Sequence, residues 1–103
     1  MRGDIYRLPA PKSAHGHEQQ GARYAVVVQS DDVRLSTALV APTSRGSFDA
    51  SFHPEIEMDG TRVRVLVEQT RVVDTEFLGA FAGRVNAFEM AEINRALRLV
   101  LDI

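Results

Sequence analysis

The chain has 103 residues, a length typical of one domain, and we predict a single domain over residues 1–103. Its formal net charge of −2 excludes the strongly basic proteins that coat nucleic acids, although a local arginine cluster can still hold one RNA strand. The absence of cysteine excludes disulfide frameworks and thiolate metal sites. The first residues carry no signal-peptide pattern, and no apolar run approaches the roughly 20 residues that span a bilayer. We therefore expect a cytoplasmic protein without a membrane partner.

Two short segments near the amino end predict strands. Residues 3–8 mix apolar and polar side chains after a glycine, which indicates a half-buried strand. Residues 24–28 are continuous and mostly β-branched, which is typical of a strand covered on both faces. The segment 9–22 between them is rich in Pro, Gly, His, Ser and Gln. A loop of this length in a compact domain is usually functional or mobile, so we expect it to carry functional residues.

The middle of the chain predicts a series of strands separated by turns. The predicted strands cover residues 35–41, 48–58, 61–67 and 68–73. The first of these ends at Pro42-Thr43-Ser44, and Asp59-Gly60 is a strong hairpin signal between the second and the third.

The carboxyl-terminal part predicts one more short strand, over residues 79–85, followed by a helix. Asn86 and Glu89 have the spacing of a capping box, which marks the start of the helix. Apolar residues then recur at helical spacing and predict a stripe that packs on the sheet: Met90, Ile93, Leu97, Val100 and Leu101. The predicted fold class is α+β and mainly β, a strongly curved antiparallel sheet or small barrel with a carboxyl-terminal helix.

Polar residues that suit phosphate chemistry stand at the boundaries of the predicted strands. The polar loop brings Glu18 and then Arg23 to the start of a buried strand, and another strand is followed by the hydroxyls of Thr43 and Ser44. The planar, permanently charged guanidinium of arginine suits phosphate and base-edge recognition. Further along, Glu68-Gln69-Thr70-Arg71 again places polar groups at the start of an apolar strand.

Histidines are the only candidates for a metal site of the zinc type. His15 and His17 form a His-x-His pair, but His53 is distant in sequence, and a metal site needs at least a third ligand at workable geometry. We therefore expect no metal and no cofactor. His17 remains a candidate base, because its ordinary pKa suits proton transfer near neutrality.

The order and spacing of these motifs resemble the MazF/PemK family of toxin endoribonucleases over nearly the whole chain. Residues 3–6, Gly-Asp-Ile-Tyr, resemble the family's opening Gly-Asp/Glu-Ile-Trp strand. Glu18-Gln19 and Arg23 resemble its Ser-Glu-x-x-x-x-Arg-Pro loop, and the Glu-to-Arg spacing of five agrees. Residues 42–44 fall where the family carries Thr-Ser, and residues 68–71 resemble its Asp-Gln-x-Arg segment.

The chain also departs from the family pattern at three places near the predicted site. Tyr24 follows Arg23 where the family usually has proline, and Tyr6 replaces its usual tryptophan. Residues 7–11, Arg-Leu-Pro-Ala-Pro, replace its usual Asp-x-Asp-Pro stretch.

The resemblance implies a fold related to small SH3-like barrels and a homodimer. It implies metal-independent, sequence-specific cleavage of single-stranded RNA, as the toxin of a type II toxin–antitoxin system. It further implies a cognate antitoxin that occupies the RNA groove and neutralises the toxin.

Metal-free cleavage of RNA needs a base for the 2′-hydroxyl, stabilisation of the charged phosphate, and a proton for the leaving 5′-oxygen. We predict that Arg23 binds two phosphate oxygens, and the resemblance implies that it also protonates the leaving oxygen. Thr43 is predicted to hold the phosphate, and Glu18 is the expected base or the group that orients Arg23. The residues predicted to bind RNA are His17, Gln19, Ser44, Gln69 and Arg71.

Other roles stay open at this point. Arg23 could be a surface cation beside a strand, Thr43 a turn residue that uses its hydroxyl locally, and Glu18 a solvated loop acid. The fold also resembles the CcdB toxins, which inhibit DNA gyrase through the carboxyl-terminal helix without catalysis. A catalytically inactive relative is a third alternative, and incubation with RNA in EDTA separates the ribonuclease from both.

Overall fold

A computed structural model describes residues 1–9 and 23–103 of the chain. The strands in these residues are β1 (Asp4–Leu8), β2 (Arg23–Val27), β3 (Thr37–Ser44), β4 (Glu55–Met58), β5 (Thr61–Val65), β6 (Arg71–Asp74) and β7 (Phe81–Arg84). One helix follows, α1 (Ala87–Leu101). Two 3-10 turns flank β6, the first over Val67–Gln69 and the second over Thr75–Phe77. The prediction of a mainly β fold with a carboxyl-terminal helix is confirmed.

All strand pairs are antiparallel, and the strand order is β4-β5-β3-β2-β1-β7. β3 is the strand that bends the sheet, because two strands share one of its edges. β5 pairs with β3 at Thr43 and Ser44, while β6 pairs with β3 over residues 37–40. The sheet therefore curves around β3 into a nearly closed barrel, as the short strands predict.

Two apolar cores lie on opposite faces of the sheet, because successive residues of a strand point to opposite sides. We call the first the helix-side core, and it comprises Ile5, Val26, Val28, Ala41, Ile56, Val63, Val65, Val67, Val85, Ile93 and Ala96. The second, the cleft-side core, comprises Leu8, Ala25, Val27, Ala38 and Val40. Burial of β2 on both faces confirms the prediction made from its continuous apolar run.

Helix α1 begins as the sequence predicts. The Asn86 side chain accepts a hydrogen bond from the Glu89 backbone N–H at 2.7 Å, and Glu89 accepts one from the Asn86 backbone N–H at 2.8 Å. The predicted apolar stripe is right for Ile93 and its neighbours on the helix-side core. It is wrong for Val100 and Leu101, which are exposed, because this core contacts the helix only between residues 90 and 97.

Several predicted strand boundaries are wrong, and the last strand, predicted over residues 79–85, is confined to β7. The strand predicted over residues 48–58 is confined to β4, because residues 48–53 fold into a loop of packed aromatic rings. The Phe52 and His53 rings meet edge to face, with centroids 4.7 Å apart. Residues 67–69 form a 3-10 turn rather than the start of a strand. β3 begins two residues later than predicted and continues through Ser44. The hairpin at Asp59-Gly60 is confirmed, with φ of 50° and 77°.

Candidate active site

Arg23 is half-buried and is the first residue of β2, so it stands at the start of the buried strand as predicted. It pairs with Leu8 of β1. Because directly opposed residues of an antiparallel pair point to the same face, Arg23 lies on the side of the sheet that carries the cleft-side core. The guanidinium is therefore placed at the end of that core.

Thr43 is tied to the segment that begins with Arg23. The Thr43 hydroxyl donates a hydrogen bond of 3.1 Å to the backbone carbonyl of Tyr24. The regular β2–β3 ladder reaches Ala25 and Pro42, and Pro42 has no N–H to donate. The hydroxyl of Thr43 thus continues the connection between the two strands where the backbone cannot.

Ser44 ends β3 and uses its hydroxyl in the turn that follows. Its Oγ accepts a hydrogen bond of 3.2 Å from the Gly46 backbone N–H. The strand end therefore presents one hydroxyl bound to β2 and one bound to its own turn. Both hydroxyl oxygens retain acceptor capacity. Ser44 can turn its proton toward a ligand while it still accepts from Gly46, whereas Thr43 must give up its bond to Tyr24 to do so.

Gln69 and Arg71 lie along the other edge of β3. Gln69 is exposed in the first 3-10 turn, and Arg71 is exposed at the start of β6, where it pairs with Val40. The register places Arg71 on the same face of the sheet as Arg23. Arg71 lines an open cleft of about 440 Å³ together with Leu8 and Phe77. Leu8 is the residue that pairs with Arg23, so the cleft leads from Arg71 toward the start of β2.

Three residues predicted for the site, His17, Glu18 and Gln19, lie outside the described residues. The structure thus brings Arg23, Thr43 and Ser44 to one end of the β2–β3 pair. Gln69 and Arg71 flank the same strand, β3, on its opposite edge.

The chain as a whole matches the family model of PemK-like, MazF-like toxins of type II toxin–antitoxin systems over residues 1–101. The chain belongs to this family. A candidate toxin of Mycobacterium tuberculosis strain H37Rv is 35% identical to it and covers 100% of the chain and 98% of its own length. Endoribonuclease MazF9 of the same strain is 32% identical, covering 99% of the chain and 96% of its own length. Neither the family model nor these relatives favour the gyrase-inhibitor alternative.

Solved structures share the toxin's fold at low sequence identity. An endoribonuclease from a mycobacterial species, in complex with its cognate antitoxin, has a TM-score of 0.81 at 17% identity and covers 100% of the chain and 95% of its own. A MazE–MazF complex from Deinococcus radiodurans has a TM-score of 0.76 at 22% identity and covers 99% of the chain and 95% of its own. At this identity the likeness establishes the curved sheet and the carboxyl-terminal helix.

The pairing of a buried histidine with Glu68, next to the candidate site residue Gln69, escaped the sequence analysis, which considered His53 only as a metal ligand. His53 Nε2 lies 2.8 Å from Glu68 Oε2, and Nδ1 lies 2.9 Å from the Phe48 carbonyl oxygen. Burial of the imidazole lowers the pKa of His53, but the hydrogen bonds to Phe48 and Glu68 and the Glu68 charge outweigh it, so the pKa is raised above 6.5. The one hint in the sequence was that Glu68 directly precedes Gln69, a residue predicted to bind RNA. No local pattern in the sequence pairs Glu68 with His53.

The Gly-Asp-Ile-Tyr motif of the toxin has a structural role at the β1–β7 junction. Buried Asp4 accepts a hydrogen bond of 3.1 Å from the Tyr6 hydroxyl, and its Oδ1 forms an ion pair of 2.7 Å with Arg84 Nη2. Burial, followed by the hydrogen bond to Asp4 and its negative charge, raises the pKa of Tyr6. Tyr6 therefore remains a neutral donor that holds the Asp4 carboxylate.

Residues 1–9 and 23–103 contain neither a cluster of metal ligands nor a membrane-spanning helix. No group of three or more His, Cys, Asp or Glu side chains in these residues could hold a metal ion. No helix in the same residues is long and apolar enough to cross a membrane.

Proposed function

We propose that this toxin is a metal-independent endoribonuclease that cleaves single-stranded RNA in the cytoplasm, with its site on one domain of residues 1–103. The observation that carries the proposal is the hydrogen bond from the Thr43 hydroxyl to the Tyr24 carbonyl. It fixes the hydroxyl on the backbone carbonyl of the residue that follows Arg23 in sequence. The name of the relative at 32% identity, endoribonuclease MazF9, supports the same activity.

The proposed reaction uses the 2′-hydroxyl of RNA as its nucleophile. The 2′-oxygen bonds to phosphorus, the bond from phosphorus to the 5′-oxygen breaks, and the products are a 2′,3′-cyclic phosphate and a 5′-hydroxyl. Glu18 is the proposed base, with His17 as the alternative. Arg23 binds two phosphate oxygens as negative charge develops and supplies the proton to the leaving oxygen. Thr43 holds the phosphate beside Arg23.

The RNA strand is proposed to run from Arg23 along the cleft that Arg71 lines. Arg71 is exposed at the start of β6, where its guanidinium can meet a phosphate or a base edge. The other residues proposed to contact RNA are His17, Gln19, Ser44 and Gln69. A groove of this kind gives local affinity despite the net charge of −2.

Two protein partners complete the proposal. The toxin forms a homodimer, and its cognate antitoxin occupies the RNA groove. The solved mycobacterial endoribonuclease with its cognate antitoxin, which shares this fold, supports the second partner. Occupation of the groove would inhibit cleavage by direct competition with RNA.

Incubation of the purified protein with single-stranded RNA in EDTA tests the activity. We expect cleavage at defined sequences, with 5′-hydroxyl and 2′,3′-cyclic phosphate ends at the new termini. A parallel preparation from cells without the toxin gene controls for contaminating ribonuclease. Intact RNA, or cleavage that appears only after a divalent metal is added, would overturn the proposal. Sequencing of the new 5′ ends would also identify the class of RNA that is cut.

A further inference from the structure

The geometry around His53 requires both of its ring nitrogens to donate. The side chain is 1% exposed, and its nitrogens face the Phe48 carbonyl at 2.9 Å and the Glu68 carboxylate at 2.8 Å. A carbonyl and an ionised carboxylate are acceptors only, so both bonds form together when the imidazole is protonated. The His53–Glu68 pair is therefore an ion pair between a buried imidazolium and a carboxylate whose side chain is 33% exposed.

This pair joins the two segments that flank the end of β3. His53 belongs to the loop after Ser44, and Glu68 belongs to the first 3-10 turn, which also contains Gln69. Two backbone bonds reinforce the same junction: Leu66 N–H donates to the Pro42 carbonyl at 2.8 Å, and Val65 N–H donates to the Pro54 carbonyl at 2.8 Å. The loop, the turn and the strand end are thus held as one unit.

His53 cannot itself exchange a proton with RNA. Its ring is buried, both nitrogens are engaged by protein acceptors, and it packs against Phe52 and Phe48 with ring centroids 4.7 and 4.8 Å away. A role in the reaction must therefore act through the position of its neighbours.

We propose that the His53–Glu68 pair is a proton-dependent lock that positions Gln69 and the Thr43-Ser44 strand end for RNA binding. The inference rests on the proposed ribonuclease function. While His53 is protonated, the lock holds the loop against the turn. When the proton is lost, the Nε2 lone pair faces the Glu68 carboxylate, and the contact becomes repulsive.

The charged groups around His53 set the direction of its pH response. The Glu68 carboxylate favours the protonated form, and Arg64 opposes it, with Nη1 at 3.4 Å from the His53 carbonyl oxygen. Arg64 is itself paired with Asp49 at 3.1 Å and Glu55 at 3.3 Å. The pKa of His53 is raised on balance, so the lock stays closed to a higher pH than an ordinary histidine would allow and opens as the pH rises further.

Two substitutions of Glu68 separate the lock from a simple structural contact. In Glu68→Gln, the amide NH₂ can donate to neutral His53 Nε2 while Nδ1–H still donates to Phe48, so the contact no longer needs the extra proton. In Glu68→Ala, the contact is lost at every pH. Glu57→Gln is the matched control, because Glu57 is exposed on β4.

The test measures KM and kcat for a short RNA between pH 6 and pH 9, with the His53 ring titrated by NMR. We expect the wild-type KM to rise about tenfold as the pH passes the His53 pKa, with a smaller change in kcat. Glu68→Gln should lower the His53 pKa and abolish this rise, Glu68→Ala should show the high KM throughout, and Glu57→Gln should match the wild type.

The outcomes distinguish the lock from the function on which it rests. Two results would contradict the lock and leave the proposed function standing. One is an active wild type whose KM profile is unchanged by Glu68→Gln, and the other is a His53 pKa at or below 6.5. A wild type that cleaves no RNA at any pH would overturn the proposed function and, with it, the role given to the lock.

Discussion

At the scale of single residues, the hydroxyl of Thr43 donates its hydrogen bond to the Tyr24 carbonyl at 3.1 Å, directly after Arg23 in sequence. The same hydroxyl is proposed to hold the scissile phosphate. Tyr24 occupies the position where the family usually has proline, and its side chain packs against the helix-side core. Thr43 donates to the backbone carbonyl of Tyr24, a group that a residue of any type supplies at this position.

Thr43→Val should lower both stability and activity, because it removes the hydroxyl while keeping the branched shape. We expect a loss of about 1 kcal/mol in the free energy of unfolding, measured with urea, since the Tyr24 carbonyl loses its partner. Cleavage should fall by about a hundredfold. Thr43→Ser keeps the hydroxyl and should retain most of both. Wild-type cleavage by Thr43→Val would contradict the role given to Thr43.

The stability of the protein should depend on pH through His53. Its pKa is raised in the folded state, so the folded protein binds the proton more tightly than the unfolded chain does. The stabilisation is fully present below about pH 6.5, the ordinary histidine value, and is lost as the pH rises through the raised pKa.

Urea unfolding of the wild type and of Glu68→Gln across this pH range measures that effect. The free energy of unfolding of the wild type should decline more steeply with rising pH than that of the variant. Parallel curves would mean that Glu68 does not raise the His53 pKa.

At the scale of elements, Glu89 links the start of α1 to the edge of the sheet. Its Oε1 accepts from the Asn86 backbone N–H at 2.8 Å, and its Oε2 accepts from the Glu57 backbone N–H at 2.8 Å. One carboxylate therefore completes the capping box and satisfies a donor on β4, an edge strand.

Glu89→Ala should reduce stability by about 1–2 kcal/mol, because two backbone donors lose their acceptor. Glu92→Ala is the matched control one turn later: Glu92 faces Arg95 at 3.7 Å, an i,i+3 pair worth about 0.2–0.5 kcal/mol. Thermal unfolding of the two variants measures the difference. Equal losses would contradict the double role of Glu89.

The elements that could be predicted from sequence are those specified by local spacing. Asn86 and Glu89 are three residues apart, so the capping box is visible in the sequence itself. The boundary position of Arg23 also follows from a polar-to-apolar transition. The strand predicted over residues 48–58 failed because Phe52 packs on the helix-side core and His53 bonds to Glu68, 15 residues away. Alternation of polar and apolar residues does not encode such contacts.

In the candidate site, too, local motifs could be predicted from the sequence and long-range contacts could not. Thr43 and Ser44 could be placed at a strand end from Pro42-Thr43-Ser44 alone. The bond from Thr43 to Tyr24 spans 19 residues, and the bond from His53 to Glu68 spans 15, so both depend on strand register and loop path. A single sequence specifies these only through the complete fold.

At the scale of the whole molecule, several large apolar side chains of the described residues remain exposed. Phe77 is 63% exposed beside the cleft, and Phe81 is 59% exposed on β7. Helix α1 adds the exposed side chains of Leu99 and Leu101. Apolar surface of this kind favours burial against another protein, which agrees with the proposed homodimer.

Sedimentation of the purified toxin should therefore give twice the mass of the 11.4 kDa chain at micromolar concentration. Substitution of exposed apolar residues by charge, such as Phe81→Glu, should reveal whether β7 takes part, with Phe88→Glu as a comparison on α1. A wild type that sediments as a monomer at all accessible concentrations would contradict the homodimer.

The central claim is that Arg23 is the phosphate-binding group of a metal-independent ribonuclease. Its most direct test is the rate of RNA cleavage in EDTA by Arg23→Ala, beside Arg34→Ala, which removes an exposed arginine from the loop before β3. We expect Arg23→Ala to lose about 10²–10³-fold in rate with an unchanged circular dichroism spectrum, and Arg34→Ala to match the wild type. Cleavage by Arg23→Ala at the wild-type rate would contradict the account.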